Sequence, residues 1–346
     1  MNIRPAGAGL LSLILLLGVS LAVPANDVDY AMQLPGAQHA MLLDVERAGE
    51  HLVAVGERGH ILVSTDRGNS WTQVQVPASV MLTRLVFADE LHGWAVGHDG
   101  NVMHSRDGGF TWALQRDGLA DQVRINEQRA GRARQRVADL EQALSAASES
   151  HAEELAAELE DAQWRLDNAL EAMDKPVYAP PLMDVWFATP QQGWASGAYG
   201  TLLYTANGGR NWEDWSHKLD NPDELHLNGV AGDGRGGIYL ASEWGTVFRS
   251  GNGGETWEAL ETGYDGSYFG VIINPESGDI FAYGLRGTIY RAAADLRWQA
   301  LDSGVVVSLF GATADGATLV FVGRGGTATL TADNGSSFQP LVQSHR

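Results

Sequence analysis

From Leu42 onward the apolar residues come in short runs of four or five, set between glycine-rich polar turns. Arg84–Phe87, Gly93–Gly97 and Asn101–His104 are three such runs in succession. Runs of this length, bounded by Gly, Asn and Asp, read as β-strands. One order returns along the chain: an apolar strand, a loop, a second strand closed by a small residue, two variable residues, a Gly and a third strand. A fourth strand starts at a Trp, so each unit predicts four short antiparallel strands. Residues 120–175 break the pattern, because Gly occurs there once, at Gly131, Pro is absent, and Ala, Leu, Glu and Arg dominate. Val137, Leu140, Leu144 and Ala147, then Leu155, Leu159, Ala162, Leu166, Ala169 and Met173, recur mostly at spacings of three and four, which predicts helix. Ala147-Ser148-Glu149-Ser150 interrupts the run and offers Ser or Glu to cap a second helix. Two antiparallel helices of about 25 residues, each about 38 Å long, follow from a rise of roughly 1.5 Å per residue.

Ser64-Thr65-Asp66-Arg67-Gly68-Asn69-Ser70-Trp71 returns as Ser105 to Trp112, and in weaker copies at Thr205 to Trp212, Ser250 to Trp257, Arg291 to Trp298 and Thr331 to Phe338. The terminal aromatics fall about 40 residues apart, the period of a four-stranded propeller blade. Only the step from Trp112 to Trp212 is longer, and the helical segment fills the difference. The fold class is therefore read as all-β, a six-bladed β-propeller with an antiparallel α-helical hairpin inserted between blades two and three, with seven blades as the alternative. Within the phrase, Gly and Asn permit a tight turn, the Asp and hydroxyl side chains bond turn amides, and the Trp anchors the turn. The spacing lacks the run of oxygen ligands that a calcium loop needs.

Arg4, an apolar stretch from Leu10 to Val23 and small residues at Val23-Pro24-Ala25 form a secretory signal with cleavage before Asn26. The stretch is too short for a comfortable membrane span, so no membrane insertion is expected after cleavage. The expected organisation is a signal over 1–25, lead-in and blades one and two over 26–119, the hairpin over 120–176, and blades three to six over 177–346. The chain has no cysteine, which excludes disulfides and a lipid-modified cysteine. A formal charge of −20, from 23 basic and 43 acidic residues, argues against nucleic acid or anionic lipid as partner.

The hairpin's charges are sorted. Arg124, Arg129, Arg132, Arg134 and Arg136 sit on the first helix, where an antiparallel return is expected to place Glu160, Asp161, Asp167 and Glu171 beside them. The distal half, with Glu149, Glu153, Glu154 and Glu158, has no opposing base in this reading and is the candidate docking surface. A thin rod outside the blade period should be removable, at residues 121–175, without loss of the propeller. Topology puts the insertion on the face that also carries the turns between second and third strands. These turns display Glu57-Arg58, His98-Asp99, Ala198-Tyr199, Glu243-Trp244, Leu285-Arg286 and Arg324-Gly325. Arg58, Arg286 and Arg324 are neighbours in ring order, as are Tyr199 and Trp244, and these are the residue types of an interaction hot spot.

No catalytic, cofactor or metal residues are assigned. Asp44, Asp184 and Asn228 fall on first strands and are read as polar residues of the propeller channel rather than an acid pair. His92, His98 and His104 match no metal-ligand spacing.

The phrase from Gly93 to Trp112, echoed from Gly193 to Trp212, resembles the Asp-box, or BNR-like, repeat of the photosystem II stability and assembly factor family. The resemblance covers residues 42 to 341 apart from the insertion. It implies a non-enzymatic exported accessory factor for a membrane protein complex, in the thylakoid lumen for photosynthetic members. Relatives in bacteria without photosynthesis resemble periplasmic partners of resistance-nodulation-division (RND) transporters. Photosynthetic members are expected to have seven blades where six repeats are counted here, and the acidic hairpin is foreign to their pattern. The rival classes are a sialidase-like glycoside hydrolase and a carbohydrate-binding propeller with Trp244 and Tyr199 as stacking platforms. A sialidase needs an arginine triad and a Tyr with a supporting Glu in the channel. The Arg-Ile-Pro signature that opens such a site is missing, and Arg58, Arg286 and Arg324 fall in rim turns.

Overall fold

The computed structural model describes residues 28–341, so the expected signal segment lies outside the described residues. Six four-stranded antiparallel sheets follow one another along the chain, each with its strands in sequence order. Blade 1 comprises Leu42–Ala48, His51–Gly56, Ile61–Ser64 and Thr72–Val74, and blade 2 Leu82–Phe87, Gly93–Gly97, Val102–Ser105 and Ala113–Arg116. Blade 3 comprises Leu182–Phe187, Gly193–Gly197, Leu202–Thr205 and Glu213–Asp214, and blade 4 Gly229–Gly232, Ile238–Ala241, Thr246–Ser250 and Glu258–Glu261. Blade 5 comprises Tyr268–Ile273, Ile280–Gly284, Ile289–Ala292 and Trp298–Leu301, and blade 6 Leu309–Asp315, Thr318–Gly323, Ala328–Thr331 and Gln339–Leu341.

Second strands read as unbroken apolar runs because neighbouring blades cover both their faces. Every residue of Gly93–Gly97, Gly193–Gly197 and Ile280–Gly284 is buried. The glycine that closes such a strand lies against the chain entering the first strand. A Cβ at Gly97 would stand 2.0 Å from the Met81 carbonyl oxygen, and one at Gly56 2.2 Å from that of Met41.

The repeated phrase forms the turn between third and fourth strands. In blade 2, Asp107 accepts from the Ser105 hydroxyl at 2.9 Å, the Thr111 amide at 2.9 Å and the Thr111 hydroxyl at 2.6 Å. Ser105 accepts from the Gly109 amide at 2.8 Å, and the Trp112 indole donates to the Gly109 carbonyl at 2.8 Å. Asp66, Asn207, Asn252 and Asp333 repeat the contact to the amide four residues on. Hydrogen bonds from the Ser70 hydroxyl and amide hold the Asp66 carboxyl down at about 2.

Hydrophobic cores lie between successive blades, from the blade 1–2 junction to the blade 5–6 junction. Among the described residues no such core joins blade 6 to blade 1. The free face of blade 1 instead packs Ala54 and Leu62 against Leu34 and Ala37 of the lead-in, while Val322 and Leu341 of blade 6 remain exposed.

Helix α1 spans Gly118–Ala146 and helix α2 spans Glu149–Asp174. Asp117 caps α1 by accepting from the Leu119 and Ala120 amides. Ser148 occupies the N-cap position of α2, but its hydroxyl makes no cap bond. The hairpin is not a rod standing clear of the propeller. Ile125 is 2% exposed and belongs to the core between blades 2 and 3, with Trp94, Leu182 and Trp212. Deleting residues 121–175 would therefore open that core, contrary to the expectation from the blade period.

A hairpin-bounded cleft and a ring of displayed side chains

The turns between second and third strands share one backbone solution. Their middle residue is left-handed in every blade: Arg58 (φ 56°), Asp99 (55°), Tyr199 (55°), Trp244 (52°), Arg286 (60°) and Gly325 (69°). The following residue is always a glycine with positive φ. Each turn closes by an amide donating to the carbonyl three residues back, as from His60 to Glu57 at 3.0 Å and from Thr246 to Glu243 at 3.0 Å. Glycine adopts this conformation at no steric cost, whereas other residues lose about 1 kcal/mol or more. Five of the six middle positions nevertheless carry large or charged side chains, and those of Tyr199 and Trp244 are 51% and 68% exposed. Arg324 differs from Arg58 and Arg286, because it occupies the first turn position and leaves the left-handed one to Gly325. Arg58 and Arg324 adjoin in ring order, but no packed core lies between their blades among the described residues.

Tyr199 is oriented by its neighbours. Its amide donates to His226 Nδ1 at 2.8 Å, and its ring meets His226 and Tyr178 edge-on, at 4.9 and 6.3 Å between centroids.

Three of the α1 arginines, Arg124, Arg129 and Arg132, reach the propeller rather than the acids of α2. Arg132 and Arg129 meet the Asp214 carboxylate at 2.8 and 3.1 Å, and Arg124 donates to the Trp212 carbonyl at 3.0 Å. Arg116, at the end of blade 2, is anchored to the Gly100 carbonyl and meets Asp121 at 2.7 Å. Burial works to raise the Asp214 carboxyl, but the Arg129 charge and hydrogen bond, with Ser216 and Arg132, outweigh it and bring it down to about 2. Asp161 pairs within its own helix with Arg165, and Glu171 with Lys175. Glu158 is not unpaired, since Arg136 donates to it at 2.6 Å. Glu149 opens α2, and Glu153 and Glu154 are exposed near its start, roughly 12 Å along the helix from Ala162. The structure thus brings Tyr199 to the hairpin base and leaves these three acids near the tip.

Between the hairpin and blade 3 lies a cleft of about 860 Å³. Arg132 and Arg136 of α1, Trp164 of α2, Tyr199 and the link from Asp214 to Glu224 line it. Trp164 is 64% exposed, an aromatic on a helix face otherwise rich in Ala and charge. Its departure from the apolar seam was the available sequence signal for the cleft. Asp214 gave none, because its partners lie more than 80 residues away.

The channel residues hold blades together. A β-bulge at the start of each of several first strands turns one residue inward, Asp44 in blade 1 and Arg84 in blade 2. Asp44 accepts from the Leu85 amide of blade 2 at 2.9 Å, and Asp184 from the Val230 amide of blade 4 at 2.9 Å. Asn228 donates to the Tyr268 carbonyl of blade 5 at 2.8 Å. Arg84 lies 3.3 Å from Asp184 and 3.7 Å from Asp44. Burial raises both carboxyls and the shared guanidinium opposes it. His104 stacks on Trp94 at 4.7 Å, and burial holds its imidazole down at about 4. Among the described residues no group of three or more His, Asp or Glu could hold a metal ion.

Fold and site together define an Asp-box β-propeller that displays side chains on one face, beside a cleft closed by a helical hairpin. Residues 63–129 and 162–325, more than half of the chain, match the family described as photosynthesis system II assembly factor YCF48, and the protein belongs to that family. Residues 130–161, within the hairpin, fall outside the match. The photosystem II assembly protein Ycf48 of Thermosynechococcus vestitus is 41% identical over 44 residues, 13% of this chain and 13% of its own length. The photosystem II stability/assembly factor HCF136 of Cyanidioschyzon merolae is 45% identical over 53 residues, 15% of this chain and 12% of its own. A structure of YCF48 bound to D1 peptide aligns with a TM-score of 0.57 at 16% identity, covering 90% of this chain and 85% of that one. YCF48 from Cyanidioschyzon merolae aligns with a TM-score of 0.53 at 15% identity, covering 86% and 84%.

Proposed function

We propose that this protein is a non-enzymatic accessory factor that holds a polypeptide segment of a membrane protein while its complex is assembled. The observation that carries this reading is the set of five non-glycine side chains kept in left-handed turns on the face from which the hairpin leaves. Residues held in left-handed backbone cost about 1 to 3 kcal/mol each and cluster at ligand clamps and active sites, which motivates the reading. A relative whose structure is described as bound to D1 peptide supports the polypeptide ligand, and the family supports a membrane complex such as photosystem II as its source. Neither named relative is a transporter component, so an RND partner draws no support from them. Arg58, Tyr199, Trp244, Arg286 and Arg324 are assigned to the binding face, and Glu149, Glu153, Glu154 and Glu158 to its extension along the hairpin.

The non-enzymatic reading rests on the channel, where Asp44 and Asp184 both serve Arg84 and backbone amides. Neither is placed as a free acid or nucleophile for the glycosidase alternative. An exported location rests on the signal segment. Among the described residues, no helix is long and apolar enough to cross a membrane. The test is affinity isolation from detergent-solubilised membranes with intact protein and with a hairpin shortened at residues 137–159, which spares Ile125 and the Asp214 contacts. Recovery of a membrane protein complex by the intact protein is expected, and recovery of none would sink the proposal.

A further inference from the structure

The rim turn of Tyr199 borders the cleft between the hairpin and blade 3, whose charges are unevenly engaged. The cleft's arginines are occupied: Arg129 and Arg132 by Asp214, Arg136 by Glu158 and Arg165 by Asp161. On the facing link, Asp220, Asp223 and Glu224 are exposed and have no cationic partner among the described residues. Arginines and carboxylates line the cleft in equal number, but Glu158 and Asp161 of α2 also engage Arg136 and Arg165, so the charge left without a partner at the cleft is that of Asp220, Asp223 and Glu224. The link itself is firmly placed, since Asn221 accepts from the Leu225 amide at 3.0 Å and donates to its carbonyl at 3.1 Å. Trp164 and Tyr199 hold exposed rings at the cleft, where a cation can rest on an aromatic face. The volume, about 860 Å³, admits several residues of chain.

We infer that this cleft receives a basic polypeptide segment of the partner, with Lys or Arg side chains between the 220–224 acids and the Trp164 ring. The inference rests on the reading of the protein as a polypeptide-holding factor and names the chemistry of the segment held. A basic segment supplies the missing counter-charge, and an acidic one would face the 220–224 carboxylates with the arginines already engaged.

The test uses the full chain and a fluorescein-labelled 12-residue peptide of alternating Lys and Ala, with a Glu and Ala peptide as control. Binding is read by anisotropy at low and high salt. The triple variant Asp220→Asn, Asp223→Asn, Glu224→Gln and the single variant Trp164→Ala should each weaken the Lys peptide by about tenfold. A matched triple on blades 4 to 6, Glu261→Gln, Glu276→Gln, Asp315→Asn, should change affinity less than twofold. Equal weakening by the two triples would reduce the effect to the chain's overall negative charge and overturn the proposal, as would unchanged affinity in both cleft variants. Circular dichroism checks that each variant folds. Capture of the membrane partner by Trp244→Gly reads the rim separately, so a silent cleft and a failed assembly role give different patterns.

Discussion

Arg132 of the hairpin meets Asp214 of blade 3 at 2.8 Å, and the Asp214 side chain is 1% accessible. With Arg129 on the same carboxylate, this contact sets the hairpin's angle to the propeller and so creates the cleft. Removing both arginines strands a buried carboxylate. Arg129→Ala with Arg132→Ala should cost about 2 kcal/mol, below the full range for a buried pair because both guanidinium groups are more than a third exposed. Hydrogen exchange of the α1 amides should speed up while that of the blade 4 to 6 strands stays unchanged. Uniform acceleration would place the contact in global stability instead.

The same pair gives a pH dependence. Asp214 is held at about 2 in the folded state, below the ordinary carboxylate range. A depressed folded value means that its contribution is complete above about pH 4 and is lost as pH falls through about 2. Hairpin exchange should therefore rise on acidification over that window and be flat from pH 5 to 8.

In the channel, Arg84 keeps two buried carboxylates compatible. Arg84→Met should cost about 3 to 5 kcal/mol at pH 7. Burial already raises Asp44 and Asp184, and without Arg84 both rise further. Raised carboxyls contribute stability below their unfolded values and lose it as pH increases, so the variant should be more stable near pH 4 than near pH 7. Denaturant midpoints at the two pH values check the sign.

The blade turns should behave as fold staples. Trp112→Ala removes a buried indole and its bond to Gly109, at about 3 to 5 kcal/mol, whereas Asp107→Ala should cost about 1 to 2 kcal/mol. A neutral Trp112 variant in thermal unfolding would contradict the core described between blades 1 and 2.

How far the sequence reaches depends on the range of the interaction. The blades were legible because the Ser64 to Trp71 phrase binds only its own turn, so its spacing reports the period directly. The helices were legible because Leu140, Ala162 and their neighbours repeat within a few residues. The Asp214 contacts were not, since an acid on a two-residue strand says nothing of a helix more than 80 residues earlier. Pairing the arginines with the returning helix is the nearest local choice, and it holds for Arg136 with Glu158, but with Ile125 buried in the blade 2–3 core Arg124, Arg129 and Arg132 meet blade 3 instead. Arg84 escaped notice because a bulge, which shifts the alternation by one residue, decides whether it points into the channel. The left-handed turns were half legible: the flanking glycines mark them, but the middle residue's φ is a property of the backbone.

The central claim is that Tyr199 and Trp244 occupy strained turns in order to bind. Replacing both by glycine relieves the strain, and the greater freedom of the unfolded chain offsets the gain, so stability should stay within about 1 kcal/mol. The deciding measurement is capture of the membrane partner by the doubly substituted protein, alongside its unfolding midpoint. The account predicts an unchanged midpoint with capture reduced at least about tenfold, as expected for loss of exposed aromatic anchors. Unchanged midpoint with unchanged capture would contradict it.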